Sequence, residues 1–106
     1  MSWVYLFTAG LIEIAFALSL KESHGFSRPA FVAATIVSGA ASLVLLSLAL
    51  RTLPVGSAYA VWTGLGAAGT AVAGMALLGE TANPIKLGAI ALIICGVAGL
   101  RLAGSE

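Results

Sequence analysis

The stretch "GLIEIAFALSL", residues 10–20, reads as the middle of a membrane-spanning helix, yet it holds an ionisable group, Glu13, near its centre. A charge at bilayer depth costs about 3 kcal/mol or more, so such residues face a bundle interior or a watery cavity. Glu is too short to reach an interface from mid-span. A bare carboxylate at that depth must be compensated, either by a proton or by a cation. Glu13 is therefore expected to bind and release protons. The alternative is a protonated Glu that hydrogen-bonds between helices and only holds them together.

The rest of the chain supports a membrane setting. Of its 106 residues, 60% are hydrophobic and 8% charged. A soluble domain has about a quarter of its residues charged, because a surface must face water. A net charge of +1 and no basic cluster argue against a nucleic-acid partner. The single cysteine, Cys95, excludes an intramolecular disulfide and a Cys-rich metal site. The segment "AFA" (15–17) resembles a signal-peptide cleavage site. However, no Lys or Arg precedes it, and Glu13 interrupts the apolar run.

Four apolar stretches run from about 3 to 20, 29 to 50, 57 to 78 and 85 to 102. Each approaches the ~20 residues that cross ~30 Å of hydrocarbon as a helix. Only helices and closed barrels satisfy their backbone in lipid, and these runs lack the alternation of barrel strands. Pro29 and Pro84 fall where a helix tolerates a missing N–H, and Pro54 and Gly56 punctuate the turn between spans two and three. The expected fold is all-α: one domain, 1–106, of four transmembrane helices. Short loops and the lack of a G-x-x-x-x-G-K-[ST] motif argue against ATP-driven pumping, and no nucleophile–base pair or metal cluster suggests an enzyme. No cofactor is expected.

Basic residues split almost evenly, with Arg51 and Arg101 on one side and Lys21, Arg28 and Lys86 on the other. Positive-inside bias sets orientation. Either other features fix this topology weakly, or the protein inserts both ways round.

Helical spacing suggests what surrounds Glu13. Leu6, Gly10, Glu13 and Ala17 share a face, with small residues on both sides of the carboxylate. Thr35, Ser38 and Ser42 form a polar stripe on span two. Thr35 is expected to bond back to its own helix, whereas Ser42 is expected to partner Glu13. Tyr59, Trp62, Gly66 and Gly69 share a face of span three. Trp62 lies deeper than an interfacial belt residue, while Tyr59 also fits that belt. One carboxylate with aromatic faces suits a cation. Gly64 and Gly66 suit close packing or a flexible hinge. Span four, with Gly88, Ala89, Ala91, Cys95, Gly96 and Gly99, reads as an association surface. Cys95 is a packing residue there, and His24 in its polar loop faces water. Four helices hardly enclose a gated path and one Glu makes half a site. An antiparallel pair supplies both and reproduces the inverted repeats of larger transporters.

These residues resemble the small multidrug resistance transporters over essentially the whole chain. The resemblance rests on "AGLIEIAFALSLKESHGFSR" (9–28), "LPVGSAYAVWTGLGAAGTA" (53–71) and "CGVAGLRL" (95–102), above all one mid-helix Glu combined with P-x-G-x-AYA-x-W-x-G-x-G. "VWTGLGAAGT" and "GLRL" look most like the guanidinium-exporter subtype. The resemblance implies an antiparallel, dual-topology homodimer in the bacterial inner membrane, exchanging protons for a small organic cation. Glu13 from each copy would be the shared proton and substrate site. Ser42 and Trp62 would orient it, Tyr59 would border the pocket and Gly10 would give room. Ala89, Leu92, Ile93, Gly96 and Val97 would form much of the dimer contact. Phe16 departs from the Trp usual one turn after the Glu in that subtype, and Arg101 stands where Lys is common. Phe16 keeps the aromatic wall and loses the N–H. It therefore leaves open a multidrug exporter of quaternary ammonium or other hydrophobic cations. A paired heterodimer and, from another class, a non-transporting membrane assembly subunit also remain open.

Overall fold

The structure, a computed structural model, describes residues 2–103. Four helices follow one another: α1 (Ser2–Glu22), α2 (Pro29–Ala49), α3 (Val55–Leu77) and α4 (Pro84–Ala103). They hold 21, 21, 23 and 20 residues, each roughly 30 Å of rise. All four are long and apolar enough to cross a membrane, and the described residues contain no strand. The helices start where local chemistry permits. Pro29 opens α2 and Pro84 opens α4. Pro54 is the extended residue that precedes α3, so that helix begins two residues before the expected Ser57. At α4 the Asn83 side chain caps the helix, its Oδ1 accepting from the Lys86 N–H at 2.8 Å.

The turn between α1 and α2 closes on buried Ser23. Its hydroxyl donates to the Leu20 carbonyl at 2.7 Å and accepts from the Phe26 N–H at 3.2 Å. His24, Gly25 and Phe26 all adopt left-handed backbone there, which reverses the chain within a few residues.

α1 is central. It packs against α2 on one side and α3 on the other, and α4 packs mainly on α3. The packed core gathers at one end of the bundle. It consists of Leu6 and Ala9 from α1, Leu46 and Ala49 from α2, and Leu53, Ala58 and Val61 around the α2–α3 turn. That end is also tied by a Ser2–Thr52 side-chain hydrogen bond and by the Arg101 guanidinium, 4.8 Å from the Trp3 ring centroid. The opposite end has no such core, and α1 and α3 leave a cleft between them there. The molecule is a slab of 43 × 34 × 17 Å, between one and two helix diameters deep. Large apolar residues such as Ile36, Val37, Ile85 and Leu92 lie on its faces. Lipid or another apolar surface must cover them.

Candidate functional site

Glu13 sits where the packed end meets the open one. It is one turn beyond buried Ala9 and Gly10 on α1. Its carboxyl lies on Gly66 of α3: a Cβ built on Gly66 would fall 2.6 Å from Oε1 and 2.9 Å from the carboxyl carbon. Only glycine leaves that seat. Oε1 is buried and has no hydrogen-bond partner in the described residues.

Two cavities meet at this carboxyl. The smaller, about 120 Å³, is lined by Glu13, Phe16, Gly39, Ser42, Leu43 and Trp62. The sequence-predicted pocket residues Glu13, Phe16, Ser42 and Trp62 thus come together from three helices. Tyr59 joins them through a tilted contact with Trp62, ring centroids 5.4 Å apart, and is itself 54% exposed. The Phe16 ring lies over Gly39, where a Cβ would come within 3.0 Å of two ring carbons. The larger cavity, about 510 Å³, is the cleft between α1 and α3. It runs from Glu13 past Ala17, Thr63, Gly66 and Thr70 to Lys21 and Glu80.

The polar stripe of α2 divides by its hydrogen-bond partners. Thr35 and Ser38 donate to carbonyls one turn back, Phe31 at 2.7 Å and Ala34 at 2.6 Å. Ser42 instead crosses to α1 and donates to the Ala9 carbonyl at 2.7 Å. Trp62 Nε1 donates in turn to Ser42 at 2.9 Å. In this chain, Ser42 and Trp62 are bonded to each other and to Ala9 rather than to Glu13. The network ties α1, α2 and α3 together and fixes the indole beside the carboxyl. Removing the hydroxyl strands a half-buried N–H. Ser42→Ala is expected to lower thermal stability in detergent by about 1 kcal/mol, the scale of an interhelical hydrogen bond in a membrane protein. An unchanged unfolding temperature would contradict the network.

The glycines fall into distinct roles. A Cβ on Gly10 would meet Leu65 of α3 at 2.6 Å, so Gly10 sets the α1–α3 approach. A Cβ on Gly64 would meet Val97 at 2.9 Å and Ile93 at 3.4 Å, so these α4 residues pack within the chain. Ala89, Leu92 and Gly96 are exposed, Leu92 by 74%. Of the α4 residues expected on one association surface, Val97 packs on α3, Ile93 touches α3 while 38% exposed, and the others lie on an open face. Spacing on a single helix could not reveal the larger cleft's far wall. Thr63, Thr70, Lys21 and Glu80 were not singled out from the sequence.

Chemically, the site offers one unpaired carboxyl oxygen, aromatic faces and a route outward. The nearest cation lining the cleft, Lys21, lies two turns along α1, roughly 12 Å of rise from Glu13. Such a site accepts a cation or a proton.

The family model of the small multidrug resistance protein matches residues 1–93. The guanidinium exporter of Escherichia coli O6:H1 is 52% identical over 103 residues, covering 97% of this chain and 98% of that protein. The guanidinium exporters of Escherichia coli K12 and Salmonella typhimurium are each 50% identical over the same coverage. With four helices of spanning length and bacterial relatives of nearly equal length, this is a multi-pass protein of the bacterial inner membrane, and the chain belongs to the small multidrug resistance family.

Proposed function

We propose that this transporter exports guanidinium or small guanidinyl cations in exchange for protons, as an antiparallel homodimer of one four-helix domain. The observation that carries the reading is the Glu13 carboxyl, seated on Gly66 with a buried oxygen that has no partner and with two cavities meeting at it. Family membership and the relatives' names support export of a small cation. Guanidinium is planar, stays charged at cellular pH and can give a carboxylate two parallel hydrogen bonds.

In the mechanism we infer, the two Glu13 groups of a pair hold protons or the cation, never both. Loading by one releases the other, and the dimer changes facing only when loaded. The two carboxyls titrate as a unit. Each chain is packed at one end and open at the other, so inverted copies present one open cleft to each side of the membrane. Trp62, fixed by Ser42 and Ala9, offers the cation an aromatic face, and Tyr59 borders it. The exposed face of α4, through Ala89, Leu92 and Gly96, supplies dimer contact. Ile93 and Val97 back it from the α3 side.

A second reading, export of quaternary ammonium or other hydrophobic cations, draws support from Phe16 and Leu43. They give the small pocket an apolar wall without a donor. The test is a substrate panel on the purified protein in liposomes, with counter-movement of protons as the readout. Guanidinium is expected to drive proton movement at least about tenfold faster than tetraethylammonium, consistent with the loss of charge-assisted hydrogen bonds worth roughly 1.5–3 kcal/mol. Equal or reversed rates favour the second reading. Flux with neither cation overturns both and leaves the assembly-subunit role.

A further inference from the structure

Glu80 closes the far end of the α1–α3 cleft, and the fold puts it there. α3 ends at Leu77, and Gly79 turns the chain through left-handed backbone at φ 70°. The turn folds residue 80 back over the helix, so that the Glu80 N–H donates to the Gly74 carbonyl at 3.2 Å. Its carboxyl then lies against the Gly74 backbone. A Cβ there would fall 2.5 Å from Oε1 and 2.8 Å from the carboxyl carbon. This repeats the Glu13 arrangement on Gly66, two turns along the same helix. Between the two seats the cleft floor is made of small residues, Gly66, Ala67, Thr70, Ala71 and Gly74. Lys21 of α1 lines the same cleft, and it and Glu80 are not within salt-bridge distance. Other charges nearby are engaged elsewhere. Lys86 donates to the Thr81 carbonyl at 2.7 Å, and Arg28 is 3.9 Å from Glu22.

We propose that Glu80 is a cation-recruiting residue at the mouth of the substrate path, drawing guanidinium-like cations into the cleft that ends at Glu13, while Lys21 opposes them. The inference rests on the exporter reading above. A cleft lined by charge and low-dielectric walls focuses the field and raises the local concentration of an oppositely charged ligand. An entering cation meets Glu80 first and Glu13 last, with the hydroxyl of Thr70 along the way. In an antiparallel pair one such mouth faces each side, so insertion orientation in liposomes does not matter.

The test measures guanidinium-driven proton flux in liposomes for the wild type, Glu80→Gln, Lys21→Gln and Gly74→Ala, at low and near-physiological salt. At about 0.01 M ionic strength the screening length is ~30 Å, and at about 0.15 M it is ~8 Å. Glu80→Gln is expected to raise KM about three- to tenfold at low salt with kcat within about twofold, and to approach wild type at high salt, as electrostatic focusing predicts. Lys21→Gln is expected to lower KM. Gly74→Ala keeps the charge and displaces it, so it is expected to shift KM in the direction of Glu80→Gln. Opposite signs at one mouth are not what structural damage produces. A Glu80→Gln KM equal to wild type at low salt, or a change indifferent to salt, overturns the proposal. Should Glu80→Gln fail to fold, an unchanged KM in Lys21→Gln overturns it alone. A wild type that moves no guanidinium overturns the exporter reading first, and this inference with it.

Discussion

Glu13→Gln is expected to abolish proton-driven guanidinium exchange in liposomes and to weaken guanidinium binding by about ten- to a hundredfold. The substitution keeps the shape of the side chain, so the seat on Gly66 remains filled. It removes the charge and the exchangeable proton together. Hydrogen bonds to a charged group contribute roughly 1.5–3 kcal/mol, and each ~1.4 kcal/mol is a factor of ten. Calorimetric titration with guanidinium reads the binding loss, and a pH-sensitive dye inside the vesicles reads the coupling. Retained proton coupling in this variant would sink the mechanism. The same logic predicts that guanidinium binding to the wild type weakens as pH falls, because every proton taken up by the Glu13 pair removes an acceptor from the cation.

The second large effect concerns a residue with no functional group. Gly66→Ala places a methyl 2.6 Å from Glu13 Oε1 and 3.4 Å from its Cβ. The carboxyl is the far end of a flexible side chain, so it swings away and the helices stay in place. Guanidinium KM is expected to rise about tenfold, the cost of about one displaced hydrogen bond to a charged group. Thermal stability is expected to change by less than about 1 kcal/mol, below the usual cost of overpacking. Gly10→Ala is the contrast. Its methyl would meet Leu65 at 2.6, 3.1 and 3.2 Å, back to the Leu65 Cβ. A side chain blocked to its root cannot rotate clear, so α1 and α3 must part, at about 1–3 kcal/mol. Unfolding temperature and substrate KM, measured on both variants, should separate them. A Gly66→Ala protein with wild-type KM would contradict the seat assigned to Glu13.

The helices were readable from the sequence because lipid leaves little freedom. A run of apolar residues near 20 long has one way to satisfy its backbone. Glu13 was readable for the same reason, since an acid in such a run is costly. Its companions Ser42 and Trp62 followed from helical spacing and Phe16 from the family resemblance, and all three lie on one pocket. Spacing reports which residues share a face, and it does not report what that face meets. Ser42 therefore finds the Ala9 carbonyl and Trp62, partners set by how closely α1 and α2 approach. Val97 and Ile93 turn toward Gly64 because α4 leans on α3. Glu80 was hidden by its loop position. Read as a string, "GETANP" is polar punctuation, and the left-handed turn at Gly79 that folds Glu80 onto Gly74 appears only in three dimensions.

The attachment of α4 mainly to α3 bears on how the protein is made. Translation proceeds from the N-terminus, so α1, α2 and α3 leave the ribosome first, and the packed core they share is complete by Val61. α4, synthesised after them, adds only the partly buried Val97 and Leu100 against that core. The exposed face of α4 is thus made after the helices that form the core. In the proposed dimer, a nascent copy has made most of its own core before the contact face of α4 emerges, so the direction of synthesis orders assembly.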